Sequence, residues 1–343
     1  MIERIAASTR DIGHFFLSFR RQAIWSVFVM NFVSSISVAM PQYGSLWMAK
    51  SGIDVQTISY FSLVSAVGWF AVLYSIALDT LKLPILHGRL GQRRSWALVS
   101  SLISLAGVVL ISQSDPKESV LALFWATILA TLGGRMLFFA MRGYVIEMLR
   151  GDDIGPGNTF YALAFWVSRI VVSTVVLLSV DQVGFSNAIL LGAGMIAAGA
   201  CVILFLPKPP HQKARKALAA DEAANDPAED GRGRRTWSYL AAAARRVINQ
   251  NLLPPLMALL RRKGIWLFII FFTVEGLSDA ILSNILTPFY VSKLHFSVRE
   301  IYIGDLTGYA AIIAGTFLGA YAFQRFSLYG ALMLISILVG ITN

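Results

Sequence analysis

Few residues in this chain have the chemistry to bind or titrate, and most of them sit where charge is expensive. Arg135 and Arg169 each interrupt an otherwise apolar stretch, and Glu275 and Asp279 stand four positions apart in another. That spacing places both carboxylates on one face of a helix. Two acids so close in a low dielectric resist ionising together, which suits one of them to bind and release a proton. An arginine offers a planar fork of N–H donors that matches a carboxylate or a phosphate. At the centre of a bilayer a charged side chain costs about 2.5–3.5 kcal/mol on insertion scales, so it must face a cavity or an opposite charge. Arg135, beside Gly133 and Gly134, therefore reads as an anchor for an anionic ligand or as half of an ion pair with another helix. Arg169 has Trp166 one turn earlier, which fits a pocket wall for an amphipathic ligand and equally a packed helix contact. Glu275 and Asp279 either carry a proton or neutralise the two arginines, and the two roles are compatible.

The elements that hold these residues are apolar helices. Hydrophobic residues make up 56% of the chain and charged residues 14%, with a mean hydropathy of +0.65. A soluble domain carries about 25% charged residues, so water-facing surface is scarce here. Apolar runs of membrane-crossing length fall at 23–47, 57–78, 96–112, 119–141, 159–180, 185–206, 264–289, 301–323 and 328–343, and predict an all-α membrane protein with about nine spans. The net charge of +10 does not form a nucleic-acid patch, because the basic residues lie between the runs. The N-terminus and the segments after even-numbered runs hold 23 of the 29 Lys and Arg residues, and the segments after odd-numbered runs hold 4. That asymmetry predicts a cytoplasmic N-terminus and contact with anionic lipid at that face. The single cysteine, Cys201, and four scattered histidines lack metal-ligand spacing, and no cofactor is expected. Neither a nucleophile–base pair nor a Gly-rich phosphate loop is present, so the chain does not read as an enzyme.

Residues 1–22 read as an amphipathic cytoplasmic segment with Phe15, Phe16 and Phe19 beside Arg20 and Arg21, and 23–206 as a six-helix bundle. Residues 207–263 form a charged cytoplasmic linker whose later part has amphipathic helical spacing, and 264–343 an incomplete second bundle. Six spans, a charged linker and a second half match the layout in which two repeats enclose a midplane site. The second half lacks three helices of that layout, so the chain reads as C-terminally truncated.

Between the second and third runs, LDTLKLPILHGRLGQRRSW (Leu78 to Trp96) joins an acid, Asp79, to a turn with Gly91, Arg93 and Arg94. It resembles the loop between helices 2 and 3 of major facilitator transporters. In that reading Asp79, Gly91, Arg93 and Arg94 form a latch between helices that slide during transport; the plainer alternative is a topology signal. Leu46 to Val64, Leu78 to Trp96, and Glu275 to Gly308 further resemble the AmpG-type muropeptide permeases and the related acetyl-coenzyme A transporters. The fourth span departs from that family's Q-D-I-x-x-D-A-x-R pattern: GRMLFFAMR puts Arg135 and Phe139 at the acidic positions and keeps Arg142. The seventh span has Ser278-Asp279 at the family's Gly-Asp step, and the second copy of the loop motif has Gln324 where an acid is usual.

The resemblance implies a secondary transporter of the cytoplasmic membrane that moves an anionic or amphipathic small-molecule solute with protons. A muropeptide-like solute is favoured, with a siderophore or coenzyme A thioester as alternatives. The competing expectation is a degenerate, truncated chain that no longer transports and serves as a membrane-embedded interaction protein. Asp305 and Arg325, near the ends of the eighth span, are expected at the membrane interface, and Gly133, Gly134, Gly315 and Gly319 to permit close helix approach.

Overall fold

The computed structural model describes residues 21–61, 90–150, 153–207 and 289–325, with isolated positions between 63 and 86 and between 257 and 337. Every regular element among them is helical. The elements are α1 (Gln22–Ala39), α2 (Pro41–Lys50), α3 (Val55–Tyr60), α4 (Gln92–Gln113), α5 (Val120–Met148), α6 (Ile154–Phe205) and α7 (Val298–Arg325). They account for the first, third, fourth, fifth, sixth and eighth expected spans. The amphipathic segment, most of the second, seventh and ninth spans and most of the linker lie outside the described residues.

Local chemistry explains where these helices start and bend. Pro41 opens α2, where it has no N–H to donate to the Ser37 carbonyl one turn back, so the helical hydrogen-bond ladder is interrupted there. Gly184 adopts φ 78° and ψ 168° inside α6. A positive φ is open to glycine and strained for other residues, and it divides the 52 residues into the expected fifth and sixth spans. Ser297 and Glu300 form a reciprocal capping box at the start of α7. The Ser297 N–H donates to Glu300 Oε2 at 2.8 Å, and the Glu300 N–H donates to Ser297 Oγ at 3.2 Å. Asp54 caps α3 by accepting from the Thr57 hydroxyl at 2.6 Å and the Thr57 N–H at 2.7 Å. Those bonds hold its carboxyl below the usual carboxylate range.

Small residues set the packing distance. A Cβ at Gly107 would stand 2.2 Å from the Ala130 nitrogen, and one at Gly133 2.2 Å from the Ser104 nitrogen, so α4 and α5 touch backbone to backbone. On the other side of α5 a Cβ at Gly134 would stand 3.0 Å from the Ser37 carbonyl, the group that Pro41 leaves without its helical donor. Such close approach is how membrane helices gain dispersion contacts where lipid offers no hydrophobic drive to associate. The expectation for Gly133 and Gly134 holds. At Gly315 and Gly319 a Cβ meets no described atom within 4 Å, so they mark no close approach among the described residues.

The helix ends sort into two faces. Arg21 pairs with Asp153, Arg93 with Glu147, and Tyr144 donates to the Pro207 carbonyl at 2.9 Å on one face. On the other, Trp47 stacks on Phe185 at 6.1 Å, Phe61 meets Phe124 edge-on at 5.3 Å, and Lys50 donates to the Phe296 carbonyl. The segments following odd-numbered spans thus share one face, and the N-terminal end joins those following even-numbered spans on the other.

Candidate functional site

One expected site residue, Arg169, bonds a side chain that the sequence did not single out, and that side chain lines a cavity together with a second, Arg135. A cavity of about 210 Å³ lies between the first span, the start of the second and α5. Val38, Pro41, Gln42 and Ser45 line one wall, Phe61 and Val64 another, and Thr127, Thr131 and Arg135 the third. Thr127, Thr131 and Arg135 recur every four residues and so form one stripe of α5. Gln42 follows Pro41 at the start of α2. Its Oε1 accepts from Arg169 Nη1 at 3.0 Å. Gln42 therefore joins the cavity that holds Arg135 to the guanidinium of Arg169.

The Arg169 guanidinium lies over the Phe165 ring at 5.3 Å, not over Trp166 as the spacing suggested. Phe165 is four residues back and so directly below it on the helix, whereas Trp166 turns toward α7 and packs on Tyr309 at 5.9 Å. Asp305 accepts from the Ser173 hydroxyl at 3.1 Å through Oδ2. Thr174 and Tyr302 bring their hydroxyls to 3.4 Å. Asp305, expected at a membrane interface, faces the fifth span. Its position seven residues into α7 is about 10 Å along the helix at 1.5 Å per residue.

At the opposite face, Gly91 has φ 82° at the N-cap of α4, a backbone turn that glycine permits. Arg93 Nε donates to Glu147 Oε1 at 2.9 Å, with side chains 13% and 19% exposed. The Arg93 side chain crosses α5 at Gly143, where a Cβ would stand 2.5 Å from its Cζ. Arg94 is 6% exposed and donates to the carbonyls of Ile203 and Leu204. It thereby satisfies the otherwise orphaned end of α6, where the helix dipole favours a cation. Arg142, retained in the fourth span, lies between Phe138 at 4.8 Å and Tyr161 at 5.7 Å. Glu275, Asp279 and Asp79 lie outside the described residues.

The Major Facilitator Superfamily profile matches residues 12–342. The chain belongs to the major facilitator superfamily. It is 22% identical over 319 residues to the anhydromuropeptide permease of Escherichia coli, covering 92% of this chain and 58% of that protein. It is 21% identical over 330 residues to a Rickettsia felis protein named as transporter AmpG 4, covering 95% of this chain and 73% of that one. It therefore spans a little over half the length of the E. coli permease. This superfamily is built from membrane-spanning helices, which accords with the long apolar helices found here.

A Gly143→Ala substitution tests the Arg93 crossing. The added methyl displaces the guanidinium from Glu147, and the melting temperature of the detergent-purified protein is expected to fall by an amount corresponding to about 1–3 kcal/mol. In an Arg93→Ala background the same substitution is expected to change nothing. Equal losses in both backgrounds would mean that Gly143 matters for helix packing and not for the ion pair.

Proposed function

We propose that this chain is a proton-coupled carrier of an anionic, muropeptide-like solute across the cytoplasmic membrane, with its N-terminus in the cytoplasm. The observation that carries the reading is the cavity in which Arg135, Gln42, Ser45, Thr127 and Thr131 meet beside Phe61. A guanidinium suits a carboxylate. The amide and hydroxyls suit a solute rich in hydroxyl and acetamido groups, and an aromatic edge suits a sugar face. The name of the E. coli relative supports the same class of solute. Arg135, Arg169 and Trp166 are proposed to surround the solute, and Glu275 and Asp279 to carry the proton. Arg93 and Arg94, with Asp79 and Gly91, are proposed to form the latch that holds the cytoplasmic ends together. The excess of Lys and Arg on the Arg93 face supports the orientation.

The test is uptake of a radiolabelled anhydromuropeptide into membrane vesicles that contain the protein, with an imposed proton gradient. Accumulation above protein-free vesicles, abolished by a protonophore, is the expected result. Uptake no greater than in protein-free vesicles would overturn the assignment.

A further inference from the structure

Arg142 continues the stripe of α5 that lines the cavity. It stands seven residues after Arg135, about 20° short of two full turns and about 10 Å further along the helix. Aromatic rings from two helices place its guanidinium: Phe138, four residues back on α5, at 4.8 Å, and Tyr161 of α6 at 5.7 Å. Tyr161 is itself eight residues before Arg169, about 12 Å along α6. Both helices thus present two levels. At one, Arg135 lines the cavity and Arg169 bonds Gln42 at its edge; at the other, Arg142 meets Tyr161 toward the Arg93 face. Helix α1 fixes the second level from behind, where the fully buried Asn31 donates to the Tyr161 carbonyl.

The donors at this second level are not spent within the protein. Arg142 is exposed and takes part in no ion pair among the described residues. Rings lying over the face of a guanidinium hold its plane while leaving the in-plane N–H groups at the edge available. The Tyr161 hydroxyl oxygen is buried and makes no hydrogen bond of normal geometry among the described residues, although buried polar groups ordinarily find a partner. A carboxylate or phosphate at the guanidinium edge can accept from the fork of N–H donors and from that phenol together.

We propose that Arg142, with Tyr161, is a second anion-binding site, and that the solute carries two acidic groups about 10 Å apart, one held at Arg135 and the other at Arg142. The inference rests on the reading of Arg135 as a solute anchor and narrows the solute class to dianions of that span. A lipid phosphate has the same chemistry as a solute acid. The shared stripe with Arg135, and the second ring supplied by the helix that carries Arg169, favour the solute.

The experiment uses a molecular ruler in place of the solute. Oligomers of ethylene glycol with a carboxylate at both ends, in a series of lengths, are titrated calorimetrically into the detergent-purified protein, with one-ended oligomers of each length as controls. Two-ended probes that span about 10 Å are expected to bind at least about tenfold more tightly than their one-ended counterparts. Arg142→Gln is expected to reduce the two-ended probe to the one-ended value while leaving one-ended binding at Arg135 in place. Tyr161→Phe is expected to lose part of the advantage. Arg142→Lys, which keeps the charge should the glutamine variant fold poorly, is expected to fall between. The absence of a length preference in the native protein, or a preference unchanged in Arg142→Gln and Arg142→Lys, would overturn the proposal. So would loss of co-purifying anionic lipid from Arg142→Gln with two-ended binding intact, which would assign the site to a headgroup. Failure of anhydromuropeptide uptake bears on the transport reading alone, because the ruler measures binding without transport.

Discussion

A Gly133→Ala variant is expected to melt well below the native protein and to yield less monodisperse material in detergent. The added methyl would stand 2.2 Å from the Ser104 nitrogen and 2.8 Å from the Ser100 carbonyl oxygen. Both are backbone atoms of α4, so no side chain can swing aside to make room. Helix α5 cannot simply retreat, because its opposite flank is already close to α1, where a Cβ at Gly134 would stand 3.0 Å from the Ser37 carbonyl. Overpacking of a tight contact costs about 1–3 kcal/mol where neighbours can adjust, and the upper end is expected where only backbone is available. Against a total stability of about 5–15 kcal/mol that is a large fraction. The control is Gly194→Ala on α6, an exposed position where a Cβ meets no described atom within 4 Å. There the change is expected to be neutral or slightly stabilising, since alanine favours a helix over glycine by about 1 kcal/mol. Equal melting temperatures for Gly133→Ala and the native protein would refute the backbone contact between α4 and α5.

An Arg135→Gln variant is expected to take up anhydromuropeptide at least about tenfold less well than the native protein at low solute concentration. Hydrogen bonds to a charged partner are worth about 1.5–3 kcal/mol, which is roughly 10- to 150-fold in affinity. The loss should appear mainly as a raised KM, because the guanidinium binds the solute before and during translocation alike. Arg135→Lys keeps the charge and loses the two-pronged geometry, so an intermediate value is expected. Stability separates this role from a structural one. If Arg135 serves the cavity, Arg135→Gln melts near the native temperature. If it is a strut that neutralises a buried acid, removing it leaves that acid uncompensated and costs about 3–5 kcal/mol. Unchanged uptake together with a large drop in melting temperature would assign Arg135 to structure.

The helical membrane character was legible because composition and apolar run length decide it directly. The spans at 23–47, 96–112, 119–141, 159–180 and 185–206 correspond closely to the observed helices, since burying a backbone in lipid leaves the helix as the means of satisfying its polar groups. The break between the fifth and sixth spans was visible as a short polar interval, and Gly184 supplies its backbone turn. The capping box at Ser297 and Glu300 was not among the sequence expectations, although both its partners are local, three residues apart. Gly133 and Gly134 announced a close helix approach through their size alone.

The convergence of the candidate site was not legible, because it depends on residues 127 positions apart. Gln42 is an ordinary polar residue in the sequence, and nothing in its neighbours says that it will accept from Arg169. Arg169 was assigned to Trp166 by spacing, yet Phe165 and Trp166 are adjacent in sequence and face different partners once α7 is in place. Asp305 was expected near the end of its span, and its partner Ser173, 132 positions away, is not visible from the sequence.

By itself, then, the sequence determined that the chain is helical, that it crosses a membrane, where most of the spans lie, and which arginines were costly enough to need a reason. Those properties follow from hydropathy, helix length and the expense of buried charge, which act on each segment separately. Only the tertiary structure decided that Arg169 donates to Gln42 at the edge of the cavity that Arg135 lines, that Arg94 closes the end of α6, and that Asp305 faces the fifth span. Those pairings are made by side chains far apart along the chain, and their geometry is set by how closely glycine and serine let one helix approach the next.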